Sequence, residues 1–163
     1  MELSARKIVI FGNSGSGKTT LSNKLVDKYG MAHLDLDTCA WRDSQPPTRK
    51  PLEESQLIIR TFKQSSSEWI IEGCYADLMA DVMNDAEQLI FLNPGLETCL
   101  QNCRSRPWEP HKYESLEAQN NNLEMLINWV KEYETREDEF SLKHHRILFD
   151  NFSGHKLEVR TQT

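Results

Sequence analysis

Nine residues constrain this chain more than any others: Gly12-Asn13-Ser14-Gly15-Ser16-Gly17-Lys18-Thr19-Thr20. They match the spacing G-x-x-x-x-G-K-[ST] completely. They follow a short apolar run, Lys7 to Phe11, that reads as a buried strand ended by glycine. They precede a stretch from Thr19 to Tyr29 with Leu21, Leu25 and Val26 at helical spacing and Gly30 as its stop. A glycine-rich turn between strand and helix lets the backbone approach a ligand closely and aim successive amide N–H groups inward. The positive end of the helix then faces the same anion. In such a loop Lys18 suits the β- and γ-phosphates of a nucleotide, and the Thr19 hydroxyl suits Mg²⁺. The dinucleotide pattern G-x-G-x-x-G fails, because Thr20 stands where its last glycine is required. All nine residues are therefore candidates for binding the phosphates of ATP.

The remainder of the chain alternates strand and helix patterns, as in an α/β protein. Strands are expected at His33 to Asp37, at Trp69 to Ile71, at Gln88 to Leu92 and at Arg146 to Phe149. Helices are expected at Leu52 to about Ser66, Leu96 to about Arg104, and over one long amphipathic span from Leu116 to Phe140. Ser44 to Pro51 holds three prolines and reads as a loop, as does Arg106 to Ser115. No repeat or linker interrupts the 163 residues, so one domain spanning residues 1–163 is expected, with a lid at about 104–115. Short strands with helices between them imply a parallel sheet covered on both faces, with its ligands beyond the carboxyl ends of the strands.

Phosphoryl transfer needs carboxylates near a metal ion and positive charge over the migrating group. Asp35 and Asp37 stand two apart, on one side if the chain is extended there, and Glu72 closes the third strand. Asp37 is the candidate base or acceptor contact. Asp35 and Glu72, with Thr19, are the candidate Mg²⁺ ligands. Arg104 and Arg106, at the mouth of the lid, are the candidate catalytic cations beside Lys18. Arg136 is either a further cation for the site or a partner of the surrounding acidic residues. Trp41 and Tyr75 suit an acceptor pocket or simple packing. His144 and His145 read as structural or surface residues, and His111 and Lys112 receive no role.

Composition excludes other classes. With 25 acidic and 19 basic residues the net charge is -6, which disfavours direct nucleic-acid binding. No apolar run is long enough for a membrane span or a signal-peptide core, so a cytoplasmic protein without membrane attachment is expected. Cys39, Cys74, Cys99 and Cys103 form no CxxC pair and read as reduced core thiols.

Taken together, GNSGSGKTT, HLDLD, WIIEGCY, QLIFLNP and CRSR resemble the P-loop nucleotide and small-molecule kinases, among them adenylate kinase and shikimate kinase. The segment Trp69 to Tyr75 is similar to the W-I-I-D-G-N-Y of the small adenylate-kinase-like proteins often labelled DNA topology modulation proteins. The resemblance implies a three-layer α/β/α fold, a five-stranded parallel sheet in order 2-3-1-4-5, an arginine lid, and Mg²⁺ with ATP. It implies a phosphotransferase acting on a small-molecule or nucleotide acceptor. A nucleotide-binding regulator, or an ATPase with no small-molecule acceptor, is the alternative. Three departures stand out. Cys74 and Tyr75 replace the Pro-Arg pair of adenylate kinases, Gly73 stands alone where shikimate kinases have a glycine run, and Glu72 replaces the usual Asp.

Overall fold

The computed structural model describes residues 4–44 and 47–161. Gln45 and Pro46, inside the expected Ser44 to Pro51 loop, lie outside the described residues. Five strands form one parallel sheet: β1 (Lys7–Gly12), β2 (Ala32–Asp35), β3 (Trp69–Gly73), β4 (Gln88–Leu92) and β5 (His155–Val159). Their order is β2-β3-β1-β4-β5. This is the expected arrangement, and the strands alternate with helices α1 (Lys18–Tyr29), α2 (Asp37–Ala40), α3 (Leu52–Ser65), α4 (Ala76–Val82), α5 (Leu96–Arg104), α6 (Leu116–Asn121), α7 (Leu123–Lys131) and α8 (Leu142–Asn151).

The three central strands are apolar on both faces because both faces are covered. Side chains alternate across the sheet. Ile8, Ile10, Ile70 and Ile90 pack with Leu21 and Leu25 of α1 on one face. Val9, Phe11, Ile71, Leu89 and Phe91 pack on the other with residues of α3, α4 and α8. Phe11 and Phe91 stack at 4.7 Å between centroids. A third cluster joins α5 to α7 through Cys99, Leu100, Cys103, Ile127 and Val130. All four cysteines are free and buried, as expected of core thiols. Among the described residues, no helix is long and apolar enough to cross a membrane.

The structure corrects three expectations. Arg146 to Phe149 is not the fifth strand but part of α8. The run Ile147-Leu148-Phe149 is too short to distinguish strand from helix by pattern, and the capping decides it. Ser141 Oγ accepts the amide of His144 and starts the helix, which then seats Leu142, His145, Leu148 and Phe149 towards the core. The strand comes later, in what reads as a polar tail: β5 pairs only with β4, as a half-exposed edge strand. The long helix from Leu116 to Phe140 is instead α6 and α7, followed by turns. The break falls at Asn120-Asn121-Asn122, where short amide side chains compete with the helical backbone. Beyond α7, Arg136 holds the chain by donating to Trp129 O at 3.1 Å and pairing with Asp138 at 3.0 Å. Finally, β2 stops at Asp35. The Asp35 carboxylate accepts the amide of Asp37 at 3.0 Å, which turns the chain into α2 and ends the extended alternation of His33 to Asp37.

His145 is fully buried between the sheet and the α7–α8 connection. It bonds Tyr133 Oη at 2.7 Å and Cys74 O at 2.8 Å, and Phe11 meets its ring edge-on. His144 bonds Ser141. The histidine pair is thus structural, as expected. Burial pushes the His145 ring down to about 4, so the folded state holds it neutral. The unfolded chain takes up a proton near 6.5, so stability is full above that pH and is lost as pH falls towards 4. We expect His145→Gln to be less stable than wild type at pH 7.5, with the gap shrinking by about 2 kcal/mol at pH 4.5. Urea unfolding of both proteins across that range tests this, and a gap independent of pH would contradict it.

Candidate functional site

The site lies where β1, β2 and β3 end. β1 runs between β3 and β4, so the loop leaving it emerges from the middle of the sheet. The loop is seated against backbone. A Cβ added at Gly12 would lie 2.3 Å from Leu92 O, and one at Gly15, whose φ is +81°, would lie 2.3 Å from Cys99 O. Only glycine fits at both points. Asn102 Nδ2 donates to Gly15 O at 2.8 Å, and Asn13 Oδ1 accepts the amide of Ser14 at 2.8 Å. Ser16 bonds back to Asn13 O at 3.1 Å through its amide, while its hydroxyl is buried without a partner. The cradle thus carries a built-in orphan polar group facing no protein atom that could satisfy it.

Lys18 begins α1, behind Gly17. Its ammonium donates to Gly12 O at 3.2 Å and Asn13 O at 2.7 Å, spanning the mouth of the loop. Thr19 Oγ1 donates to Glu72 Oε1 at 2.7 Å. Thr20 faces outward and is exposed. Glu72, 1% exposed at the end of β3, also takes a 2.6 Å contact from His33 Nε2. Burial works to raise the Glu72 carboxyl, but its bonds from His33 and Thr19 outweigh this and hold it low. His33 shows the reverse: burial works to lower it, and Glu72 lifts it above its ordinary 6.5.

Asp35 and Glu72 are paired neighbours on β2 and β3. Asp35 and Asp37 meet on one ammonium: Lys112 Nζ lies 3.3 Å from Asp35 Oδ2 and 2.7 Å from Asp37 Oδ2. Asp35 Oδ2 is buried without a hydrogen bond, and His111 Nε2 stands 3.8 Å away. Burial opposes ionisation of both carboxyls. In Asp37 the charge of Lys112 prevails and lowers it, while in Asp35 burial and the charge of Asp37 prevail and raise it. Asp37 is also within the field of Lys18. Its other oxygen accepts the hydroxyl of Tyr75, which in turn accepts Trp41 Nε1 at 2.8 Å. Arg49 lies over the Trp41, Tyr75 and Phe140 rings and pairs with Asp77 at 3.0 Å and Glu139 at 3.1 Å. Tyr75 therefore combines packing with a direct bond to Asp37, and Trp41 reaches Asp37 only through Tyr75.

The loop after α5 folds over this end of the sheet. Arg106 Nη2 reaches Ser14 Oγ at 3.4 Å. Arg104 is exposed on the last turn of α5, outside the loop contact. Arg136 stacks on Trp129 at 4.5 Å and serves the α7 end described above, not the phosphate loop. Lys112, His33 and Glu109 are the site residues that sequence reasoning left without a role. For Lys112 a signal existed in the regular spacing Arg106, Glu109, Lys112.

Chemically the site offers a cradle for an anion, a hydroxyl and carboxylates able to hold a hard cation, and an ionised carboxylate beside two ammonium groups. Comparison with known proteins bears on the family and the fold. A family model described as an AAA domain matches residues 8–125. No curated protein matches the chain. Among solved structures, the fold is similar to that of an unliganded sugar kinase from Janibacter sp. HTCC2649, with 16% identity and a TM-score of 0.54. That likeness covers 96% of this chain and 86% of that one. It is also similar to a gluconokinase from Sinorhizobium meliloti 1021, with 15% identity and a TM-score of 0.52, covering 94% of this chain and 82% of that one. The fold is that of the P-loop kinase group.

The Glu72–His33 contact gives a direct check on the electrostatics. In Glu72→Gln the charge of Glu72 is gone and only the weaker influence of Asp35 is left to oppose burial at the imidazole. Its pKa should then fall from above 6.5 to below it, read by NMR titration of the His33 ring. A value unmoved by the substitution would show that the pair is not the cause.

Proposed function

This chain belongs to the AAA domain family, and on that footing we propose that it transfers the γ-phosphate of ATP to a small molecule or nucleotide bearing an acceptor oxygen. The observation that carries this reading is Asp37: an ionised carboxylate at the start of α2, held by Tyr75 and Lys112 and lying in the field of the phosphate-loop lysine. A nucleotide regulator needs the cradle but has no use for a poised carboxylate beside it. The two fold neighbours, a sugar kinase and a gluconokinase, point the same way.

The residues divide the work as follows. Gly12 to Thr20 present amides and the α1 terminus to the triphosphate. Lys18 exchanges its bonds to Gly12 O and Asn13 O for phosphate oxygens. Thr19, Asp35 and Glu72 are the residues that would hold Mg²⁺. Oxygen donors suit that ion, and Asp35 Oδ2, buried and held by an ion pair to Lys112 at 3.3 Å rather than by a hydrogen bond, would exchange that ammonium for it. When bound, Mg²⁺ supplies positive charge that neutralises charge developing on the phosphates. Asp37 orients the acceptor hydroxyl and accepts its proton as the new P–O bond forms, the bond to ADP breaks and ADP departs. Arg106 stands nearer than Arg104 to the transferred group, since it already touches Ser14.

Saturating Mg·ATP should raise the melting temperature of wild type by about 5 °C or more, through binding to the folded state. Lys18→Ala should remove that shift and lower turnover by about a hundredfold or more, while keeping the circular dichroism of the native fold. A melting temperature indifferent to Mg·ATP would overturn the nucleotide assignment. A second measurement concerns the acceptor. A panel of hydroxylated metabolites and nucleotides, screened for ADP release above the water-only rate, should yield at least one substrate. With it, Asp37→Asn should cut kcat about a hundredfold and raise the Kd for ATP by less than about tenfold. Equal losses in both would place Asp37 at the nucleotide instead.

A further inference from the structure

Three charged residues in the loop after α5, Arg106, Glu109 and Lys112, form one continuous line across the site. Arg106 touches Ser14 Oγ in the phosphate loop at 3.4 Å, and its Nη1 lies 3.3 Å from Glu109 Oε1. The other oxygen of Glu109 lies 3.3 Å from Lys112 Nζ. Lys112 continues the line to Asp37 at 2.7 Å and Asp35 at 3.3 Å. One carboxylate on the lid therefore ties a guanidinium on the phosphate loop to an ammonium on the carboxylate pair.

The loop is built to move as one piece. The amides of Lys112 and Tyr113 both donate to Glu109 O at 3.0 Å. Trp108 Nε1 donates to Tyr113 O at 2.9 Å, and Gln119 of α6 bonds the amide of Glu109 at 2.9 Å and Pro107 O at 3.0 Å. Nothing in this internal scaffold needs Lys112's side chain. Yet that side chain is only 17% exposed. Two of its three carboxylate partners belong not to the lid but to β2 and α2. A buried ammonium is held only by such partners, and its removal leaves them uncompensated.

We propose that Lys112 is a positioning residue: by pairing with Asp35 and Asp37 it latches residues 105–115 over the site and, through Glu109, holds Arg106 above the phosphate loop. The first half of this rests on contacts within the protein alone, and the second half rests on the nucleotide reading above. A cation on the lid and anions on the sheet end close the site without an apolar seal. An acceptor that enters must loosen this pair and take up the oxygens that Lys112 releases.

Hydrogen exchange of the nucleotide-free protein tests the latch. In Lys112→Met the amides of 106–115 should exchange about fivefold faster than in wild type, as expected for one charge pair, while β1 and β3 stay unchanged. Lys112→Arg should return exchange to within about twofold of wild type, because it restores the charge. Asp37→Asn should open the same amides, and the double variant Lys112→Met/Asp37→Asn should exceed the larger single effect by less than about twofold, since both remove one interaction. Asp37→Asn alone still decides the matter should Lys112→Met fail to fold. The second half is read by stopped-flow release of a fluorescent ATP analogue with Mg²⁺. Lys112→Met should speed release about fivefold and leave association within about twofold. Lid exchange unmoved by Lys112→Met, no rescue by Arg, or multiplying effects in the double variant would overturn the latch. Expected exchange together with an analogue that binds no form of the protein would keep the latch and remove the nucleotide reading.

Discussion

Everything at the functional end of this protein depends on how tightly one loop is pressed against backbone. β1 lies between β3 and β4, and the loop that leaves it has carbonyls of Leu92 and Cys99 where side chains at Gly12 and Gly15 would go. That seating fixes the direction of α1 and the height of Lys18. It also places Thr19 against Glu72, because β1 and β3 are register partners and Ile10 stands opposite Glu72. Parallel pairing, glycine and one hydroxyl thus build the phosphate side of the site before any charge is considered.

The carboxylate side of the site is built differently, from charge taken out of water. Asp35, Asp37, Glu72 and Glu109 all lie within a small region, and an uncompensated group of carboxylates is costly there. His33 answers Glu72, and Lys112 answers the other three. The compensation is uneven, which is why two neighbouring aspartates move in opposite directions. This separation of protonation behaviour comes from position alone and needs no unusual residue.

The parts of this architecture that could be read in the sequence are those whose cause is local. β1, β3 and β4 are apolar runs stopped by Gly12, Gly73 and Pro94, and both their identity and their order emerged as expected. The nine-residue loop is legible for the same reason, since its spacing is its mechanism. The end of β2 was not legible, because a single bond from the Asp37 amide to the Asp35 side chain turns the chain. Nor was the exchange of roles between α8 and β5, where a serine cap outside the apolar run decides. The spacing of Lys112 hinted at its lid partners, but its bonds to Asp35 and Asp37 were hidden for a third reason: those carboxylates lie some 75 residues earlier in the chain and are brought near only by folding. Arg104 and Arg106 look equivalent in sequence, and only the turn at the end of α5 separates them.

The four free thiols carry one more consequence. Each is buried, and burial pushes Cys39 and Cys99 up to about 11 and Cys74 up to about 12. At these three positions a native molecule therefore offers an electrophile almost no thiolate to attack. Cys103 sits directly beneath Gly15 in the α5–α7 cluster with Cys99, while Cys39 and Cys74 belong to the core cluster on the Phe11 face of the sheet. The chain thus carries its own set of opening sensors: the order in which the sulfurs become alkylated would map which layer of the molecule comes apart first, with no foreign label introduced.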